Sequence, residues 1–526
     1  MAKSANLPAP YKGIDAQTPL AALANPYCED LLNFNTNATG IELRKGDSAF
    51  LTLALSVGGG GVPDKIFKYG NSKIFLGVSR GTNYDIYNLE TGAWEYTQSG
   101  YPLAFPTFSS FGFNNHLFLL SLKTSGSLAY NGTTNTFGLL SYTGAGFLPI
   151  GGSSYKNRAY LIQSDSSAYW YSDIDAITGA VTQIDLSSII SEKSNLAIVT
   201  PVTVSETVST EQFLAFVFYS GEVLFYSGSY PDSDDWKLVG KAQISSLIAI
   251  NAGFDFGSDY IVLTNTGPVS LKEVLLTKSE TTSNILDSKK IKSLWTSFVQ
   301  AIRGNSGVAS IDYVSGIWDK EKNRIIFSLG YVLNKTTNTV TPGSTFLIFD
   351  TELSAWTVHI SAGFAGGFFN SSIISYRNLI LLTPSFAAPG LTDLIIPMKE
   401  GSATHSDESL PLGSPVSYDY SMTTAPIPFT KTSAVETFGI EPIMESDLYA
   451  QTNWSLISDF GKQVSGNQNI SDTVATTITK PLVNVGMQNN TYVQVKIAGA
   501  TAVGKVIGLK LYSFNVWYDT GETGSR

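Results

Sequence analysis

At 526 residues the chain exceeds one compact core, and at roughly 100 to 200 residues per domain it is expected to form several units unless a repeat fold merges them. Only 14% of residues are charged, the formal net charge is −10, and the pI is near 4.9, a balance that argues against a binder of nucleic-acid phosphates, which needs clustered Lys and Arg. Gly, Ser, Thr, Asn and aromatic residues are abundant, as when many short strands are joined by tight turns, and Cys28 as sole cysteine rules out an intramolecular disulfide or a multi-thiolate zinc site.

Residues 1–50 read as an extended N-terminal docking segment ending in a hairpin. Pro8 and Pro10 fall where a secretory signal needs its apolar core, and no later run reaches the roughly 18 apolar residues of a membrane span. The expectation is a chain without a membrane span, folded in the cytosol. Pro8, Pro10, Pro19 and Pro26 discourage a long helix, and "CEDLLNF" reads as one helical turn or a strand. "NTNATG" supplies a turn, and "IELRKG" alternates as a half-buried strand does. Arg44 and Lys45, beside Glu42 and Asp47, are too few to hold an anionic ligand. Leu31, Leu32 and Phe34 are instead expected to bury against the C-terminal unit or a neighbouring subunit, with Arg44 paired to a carboxylate there and Lys45 alongside. On that reading, removal of residues 1–50 leaves a folded remainder that cannot assemble. The next segment, "GGGGVPDK", is a flexible loop whose Gly58, Gly59, Gly60 and Gly61 are the candidates for a channel loop.

Over residues 51–400 one hairpin pattern recurs: an aromatic residue ends a strand, a polar turn follows, and a Trp or Phe opens the next strand. Tyr87 and Trp94, Tyr130 and Phe137, and Phe349 and Trp356 are each seven apart; Tyr171 and Val181, and Tyr226 and Trp236, are ten apart. Tyr87, Tyr130 and Tyr171 follow one another at 43 and 41 residues, within the roughly 40 to 50 of a four-stranded propeller blade. Seven short apolar runs ("KIFLGVS", "HLFLLSL", "RAYLIQS", "FLAFVFY", "DYIVLTN", "NRIIFSLG" and "NLILLTP") read as inner strands and predict roughly six to eight blades, irregularity allowed. Trp94, Phe137, Trp236 and Trp356 recur at the landmark, which points to packing between blades and not to sugar stacking. One helix is predicted, Asp287–Gly304, with Ile291, Leu294, Trp295 and Phe298 on its apolar face and Lys289, Lys290 and Lys292 on a solvated one. Residues 401–415 form a polar linker, and the longer alternating strands of 416–526 predict a β-sandwich. The expected fold is all-β: a β-propeller, then a C-terminal β-sandwich platform packed with the N-terminal segment.

Enzyme chemistry is hard to assemble from this sequence. His116, His359 and His405 are far apart, and neither a GxSxG elbow nor a GxxxxGK[ST] loop occurs. Asp232, Asp234 and Asp235 in "YPDSDDW" lack the rest of a calcium loop and read as an acidic turn. "SDFGKQVSG" (residues 458–466) echoes part of an Asp-box but reads as a turn. Asp312, Asp319 and Asp350 at strand ends are the candidate acids for glycosidase work, which needs two carboxylates about 5 to 9.5 Å apart. No catalytic residue, cofactor or metal site is assigned, and a non-enzymatic protein is expected.

The lead-in carries "ANPY", "NFN" and "LRKGD", placing Asn25, Pro26, Asn33, Phe34, Arg44 and Gly46 in order. Together with "LFYSGSYPDSDDWKLVG", "DYIVLTNTGPVSLKEVL", "FLIFDTELSAWTVHI" and the closing "YVQVKIAGATAVGKVIGLKLYSFNVWY", the chain resembles the tail nozzle proteins (tail tubular protein B, tail hub) of short-tailed bacteriophages. Lys45 departs from the bare Arg-x-Gly common there. The resemblance implies a virion structural protein at the distal end of a short tail, assembled in the host bacterial cytoplasm. It closes the channel and provides the exit conduit for the genome. It further implies a ring of six copies, contacts with tail adaptor or connector proteins and with fibres or a spike, and double-stranded DNA passing without sequence-specific binding. A neutral or acidic wall suits that passage because it does not hold phosphates. The competing expectation is a propeller that binds or degrades a bacterial surface polysaccharide.

Overall fold

The computed structural model describes residues 3–45, 47–49, 53–54, 62–70, 72–80, 82–100, 108–121, 126–205, 210–249, 252–278, 286–304, 314–329, 331–334, 339–342, 344–361, 373–376, 379–382, 394–395, 398–400, 407–409, 414–416, 418–428, 435–446, 452–458, 463–466, 475–479, 483–490, 492–501 and 509–519. Gly58 to Gly61, Asp312, His405, Gly46 and most of the 401–415 linker lie outside them.

Seven antiparallel sheets follow one another along the chain. Blades 1 to 4 are four-stranded and occupy 62–99, 108–139, 149–185 and 196–243; blade 5 (253–270) has three strands. Blade 6 contributes four strands between 315 and 361. Blade 7 takes three strands from 373–400 and its fourth from the lead-in strand Asp47–Ala49, which pairs with Met398–Glu400. The first strand of each blade packs against a strand of the next, and Ile373–Tyr376 of blade 7 returns to Val62–Tyr69 of blade 1, so the ring closes. This is a seven-bladed propeller whose last blade is completed from the N-terminal end of the chain.

The second strand of every blade is one of the seven apolar runs read from the sequence. The physical reason is two-sided burial: a strand in the middle of a blade is covered by both neighbouring blades, so it needs an apolar run and not an alternation. Ile74, Phe75 and Leu76, then Leu119 and Leu120, then Phe216, Val217 and Phe218 are each fully buried. The fourth strands of blades 1 to 4 are mostly half-exposed or exposed, as outer edges are.

In blade 5 a short helix, Leu271–Thr277, follows the third strand and packs on blade 4; Ser270 caps it, its Oγ accepting from Glu273 N at 3.0 Å. This helix is not among those expected from the sequence. The predicted helix is present as a 3-10 turn, Ser288–Ile291, leading into Lys292–Gly304, with Ile291, Trp295 and Phe298 buried. Lys289 and Lys292 are exposed, but Lys290 corrects the expectation of a solvated face: it is ion-paired with Asp287, donates to Tyr27 Oη at 3.0 Å and lies 4.3 Å from the Tyr27 ring centroid.

The C-terminal strands form a two-sheet sandwich. One sheet runs from the hairpin Phe34–Asn37/Gly40–Leu43 through Leu509–Asp519 to Val435–Ser446, with the lead-in strand Lys3–Pro8 also paired to Leu509–Asp519. The other holds Asp419–Thr424, Tyr492–Ala500, Thr452–Ser458 and Gln463–Gly466. It is continuous with blade 6: Cys28–Leu32 stands between Ala355–Ser361, the outer strand of that blade, and Asp419–Thr424, giving one ten-stranded sheet. A single hydrophobic core spans the joint, from Phe327 and Trp356 in blade 6 through Leu31 and Phe34 to Tyr420, Trp454, Ile440 and Val516.

Candidate functional site

Where the lead-in enters the sandwich, one residue holds four pieces of chain together. Asn33 is buried and takes the left-handed conformation (φ 61°), which Asn tolerates better than most side chains. Its N–H donates to Val358 O at 2.7 Å and its Nδ2 to Asp419 O at 2.5 Å. Its Oδ1 accepts from Ile360 N at 2.8 Å and from Arg44 Nε at 3.0 Å, and its carbonyl accepts from Arg44 N at 3.0 Å. Blade 6, the lead-in hairpin and the C-terminal sheet therefore share the amide of Asn33.

Arg44 completes the joint. Buried at 3% exposure, it donates to the carbonyls of Lys45 (3.0 Å) and Ile360 (2.9 Å), and its guanidinium lies 4.1 Å from the Tyr418 ring centroid, while Tyr418 Oη donates to Arg44 O. Among the described residues these contacts are carbonyls, an amide and an aromatic face. Lys45 is exposed. Leu31 and Phe34 are fully buried and Leu32 is half-buried, Phe34 meeting Tyr420 edge-on at 5.8 Å. Of the two partners expected for them, the one they contact is the chain's own sandwich. His359 is part of the same joint, its Nε2 donating to Phe34 O at 3.0 Å.

The landmark aromatics divide. Phe137 packs against Phe75 and Tyr130, both at 4.9 Å, between blades 1 and 2. Trp236 stacks on Tyr226 at 5.2 Å and Tyr160 at 6.3 Å, between blades 4 and 3. Trp356 is buried in blade 6, its Nε1 donating to Leu286 O at 3.0 Å. Trp94 is the exception, 53% exposed with Nε1 donating to Thr97. A register shift between Trp94 and Tyr96 turns Tyr96 toward the aromatic cluster of blades 1 and 2, leaving Trp94 outside it. In blade 3 the landmark is displaced by one: Trp170, not Tyr171, joins Val181 in the cluster facing blade 2. The residue after the landmark has its own task. Asn88, Asn131 and Asp350 each accept backbone N–H groups two residues on, from Glu90 (2.9 Å), Thr133 (2.8 Å) and Glu352 (2.9 Å), closing the turn.

The candidate acids are likewise engaged. Asp319 is buried and bound to Arg324 at 2.9 Å across a hairpin, and Asp350 serves its turn. Asp235 accepts from Ser229 and Ser233, and Asp232 from Tyr171, so two of the three acids of "YPDSDDW" are committed to neighbouring hydroxyls. Among the described residues there is no group of three or more His, Cys, Asp or Glu that could hold a metal ion.

Away from the joint lies a cleft of about 680 Å³ over the first-to-second-strand turns of blades 1 to 3. In blades 2 and 3 both central turn residues have positive φ: Asn114 and Asn115, Lys156 and Asn157. Such turns match the twist of the strands they join. Neighbouring turns are tied together: Tyr69 Oη donates to Asn115, Asn114 Nδ2 to Asp175 O at 2.7 Å, and Asp175 N to Asn157 O at 2.7 Å. Tyr155 Oη reaches blade 4 at Gln212 O and Gly228 O, both 3.0 Å; burial first, then the Asp235 charge, pushes its pKa up to about 12. His116 lines the cleft, its Nδ1 within 2.7 Å of Asn114 O. The sequence carries a signal for this feature: an aromatic residue ends the first strand at Tyr69, Phe113 and Tyr155, at intervals of 44 and 42 residues.

The architecture defines a class: an all-β protein in which a seven-bladed propeller is fused edge to edge with a sandwich. No family model matches the sequence, and no curated protein matches it. Among solved structures, the β-propeller domain of Cps50 (Swd1) from Myceliophteria thermophila is 9% identical with a TM-score of 0.36, covering 67% of this chain and 99% of its own. Raptor from Chaetomium thermophilum is 9% identical with a TM-score of 0.39, over 71% of this chain and 30% of its own. U3-55K is 10% identical with a TM-score of 0.39, over 68% of this chain and all of its own. Likenesses this loose carry no weight, and the propeller rests on the chain's own closed ring of sheets.

Proposed function

We propose that the chain is a virion structural protein, the distal nozzle of a short phage tail, working as a ring of copies that closes the channel and lets the genome leave. The observation that carries this reading is the joint. Asn33, Phe34 and Arg44, which bear the resemblance to nozzle proteins, are the residues that lock propeller to sandwich. A ten-stranded sheet through that joint suits a part that must transmit load, and the −10 charge suits a wall past which DNA slides. The polysaccharide-degrading alternative has less support, since Asp319 is held by Arg324 and Asp350 by turn amides. Cryo-electron microscopy of tailed particles that carry the chain tests the proposal. Six copies around the tail axis at its distal end are expected; a chain absent from the particle, or present as a single copy, refutes it.

A further inference from the structure

The cleft over blades 1 to 3 has no part in the joint. Its volume of about 680 Å³ lies within the roughly 300–1,000 Å³ of small-ligand sites. Its floor is rigid, because the turns that form it are fixed by left-handed residues and bonded blade to blade. A rigid floor lowers the cost of ordering side chains on binding.

The chemistry of the lining is specific. Among the described residues of the lining, Lys68 and Lys156 bring two ammonium groups and Asp175 one carboxylate, in a chain that is strongly acidic as a whole. Burial first, and then the charge of Lys320 from blade 6, lowers the pKa of Lys68, so a third cation stands within electrostatic reach. Lys156 Nζ, the side-chain amides of Asn157 and Gln212, and His116 Nε2 make no hydrogen bond to any described residue. These groups offer an ammonium, two amides with both donors and acceptors, and a ring nitrogen around one space. An apolar ligand would leave them all unpaired.

We infer that this cleft binds a short acidic saccharide, its charged group against Lys68 and Lys156 and its hydroxyls on the amides of Asn157 and Gln212 and on His116. The charge can be a carboxylate or a phosphate, since both accept from ammonium groups. The inference is independent of the nozzle proposal, and the two fail separately: a tail ring with an empty cleft refutes only this one.

The test is isothermal titration calorimetry of the full chain at low salt with three probes: trigalacturonate, glucose 6-phosphate and neutral maltotriose. At least one acidic probe is expected to bind about tenfold or more tighter than maltotriose, and which one does so identifies the charged group. Lys156→Gln, at an exposed turn tip, is expected to weaken that probe about five- to tenfold, and Gln212→Ala about threefold. Absence of binding by both acidic probes overturns the inference. So does equal binding of maltotriose, or unchanged binding in both variants.

Discussion

Removing residues 1–50 is expected to prevent the chain from folding, in contrast to the folded remainder that the sequence alone suggests. The segment supplies the edge strand Lys3–Pro8, the strand Cys28–Leu32 inside the ten-stranded sheet, the Phe34–Leu43 hairpin and the fourth strand of blade 7. It also supplies seven large buried side chains: Leu7, Ile14, Leu23, Leu31, Phe34, Ile41 and Leu43. At about 1.5–3 kcal/mol for each, their burial contributes roughly 10–20 kcal/mol. A compact unfolded state lowers such figures by about 10–40%, and the remainder still matches the roughly 5–15 kcal/mol by which most proteins are stable. The assay is expression of residues 51–526 followed by circular dichroism on heating, with the single substitution Phe34→Ala in the full chain as a milder probe. The truncated chain is expected to be insoluble or to lack a cooperative transition, and Phe34→Ala to cost about 3–5 kcal/mol. A soluble 51–526 chain that melts cooperatively at the parent's midpoint would refute the reasoning.

Further expectations follow from single contacts. Trp356→Ala should cost about 3–5 kcal/mol in urea unfolding, while Trp94→Ala at an exposed edge should stay within about 1 kcal/mol; equal losses would show that the landmark position is not divided as described. Gly13→Ala should destabilise strongly and raise the proteolysis rate of the lead-in, because Gly13 has φ +70° and an added Cβ would stand 2.3 Å from Trp356 O. Glu222 is buried; burial alone would raise its pKa, but hydrogen bonds from Lys241 and Ser191 and the Lys241 charge hold it below the usual carboxylate value. A depressed folded pKa means stability that is present above the unfolded value near 4.5 and lost as pH falls through the folded value. Glu222→Gln should therefore cost about 1–3 kcal/mol at pH 7, with the difference from the parent shrinking as the pH falls into the acid range in paired chemical-denaturation curves.

The fold was legible wherever burial is local. Each second strand carries an apolar run because two blades cover it, and that run is visible without any partner being known. The landmark pairs were legible for the same reason: Tyr130 and Phe137 face each other across one hairpin, and so do Phe349 and Trp356. Two kinds of information were not local. The displacement at Trp170 and the exposure of Trp94 depend on irregular register, which spacing cannot reveal. The fate of the lead-in depends on partners hundreds of residues away, such as Lys3 opposite Tyr518 and Leu32 beside Val358. Nothing in "CEDLLNF" says that its second sheet edge is blade 6.

The place of Arg44 in the joint turns on Asn33. Read alone, an Arg on a short hairpin beside apolar residues invites a partner with a carboxylate, because an exposed guanidinium gains most from one. Asn33 changes that balance by bending the chain through a left-handed residue directly before Phe34, which sends the hairpin back over Ala355–Ser361 and leaves Arg44 beneath Tyr418. Enclosed there, the guanidinium has three carbonyl or amide oxygens at fixed positions and an aromatic face among its partners. The bend itself is paid for by the amide, whose oxygen and nitrogen bond to blade 6, to Arg44 and to the sandwich at once. A residue with no left-handed tolerance fails at the backbone, and one with no amide fails at the bonds, so the short "NF" motif specifies how the propeller and the sandwich meet.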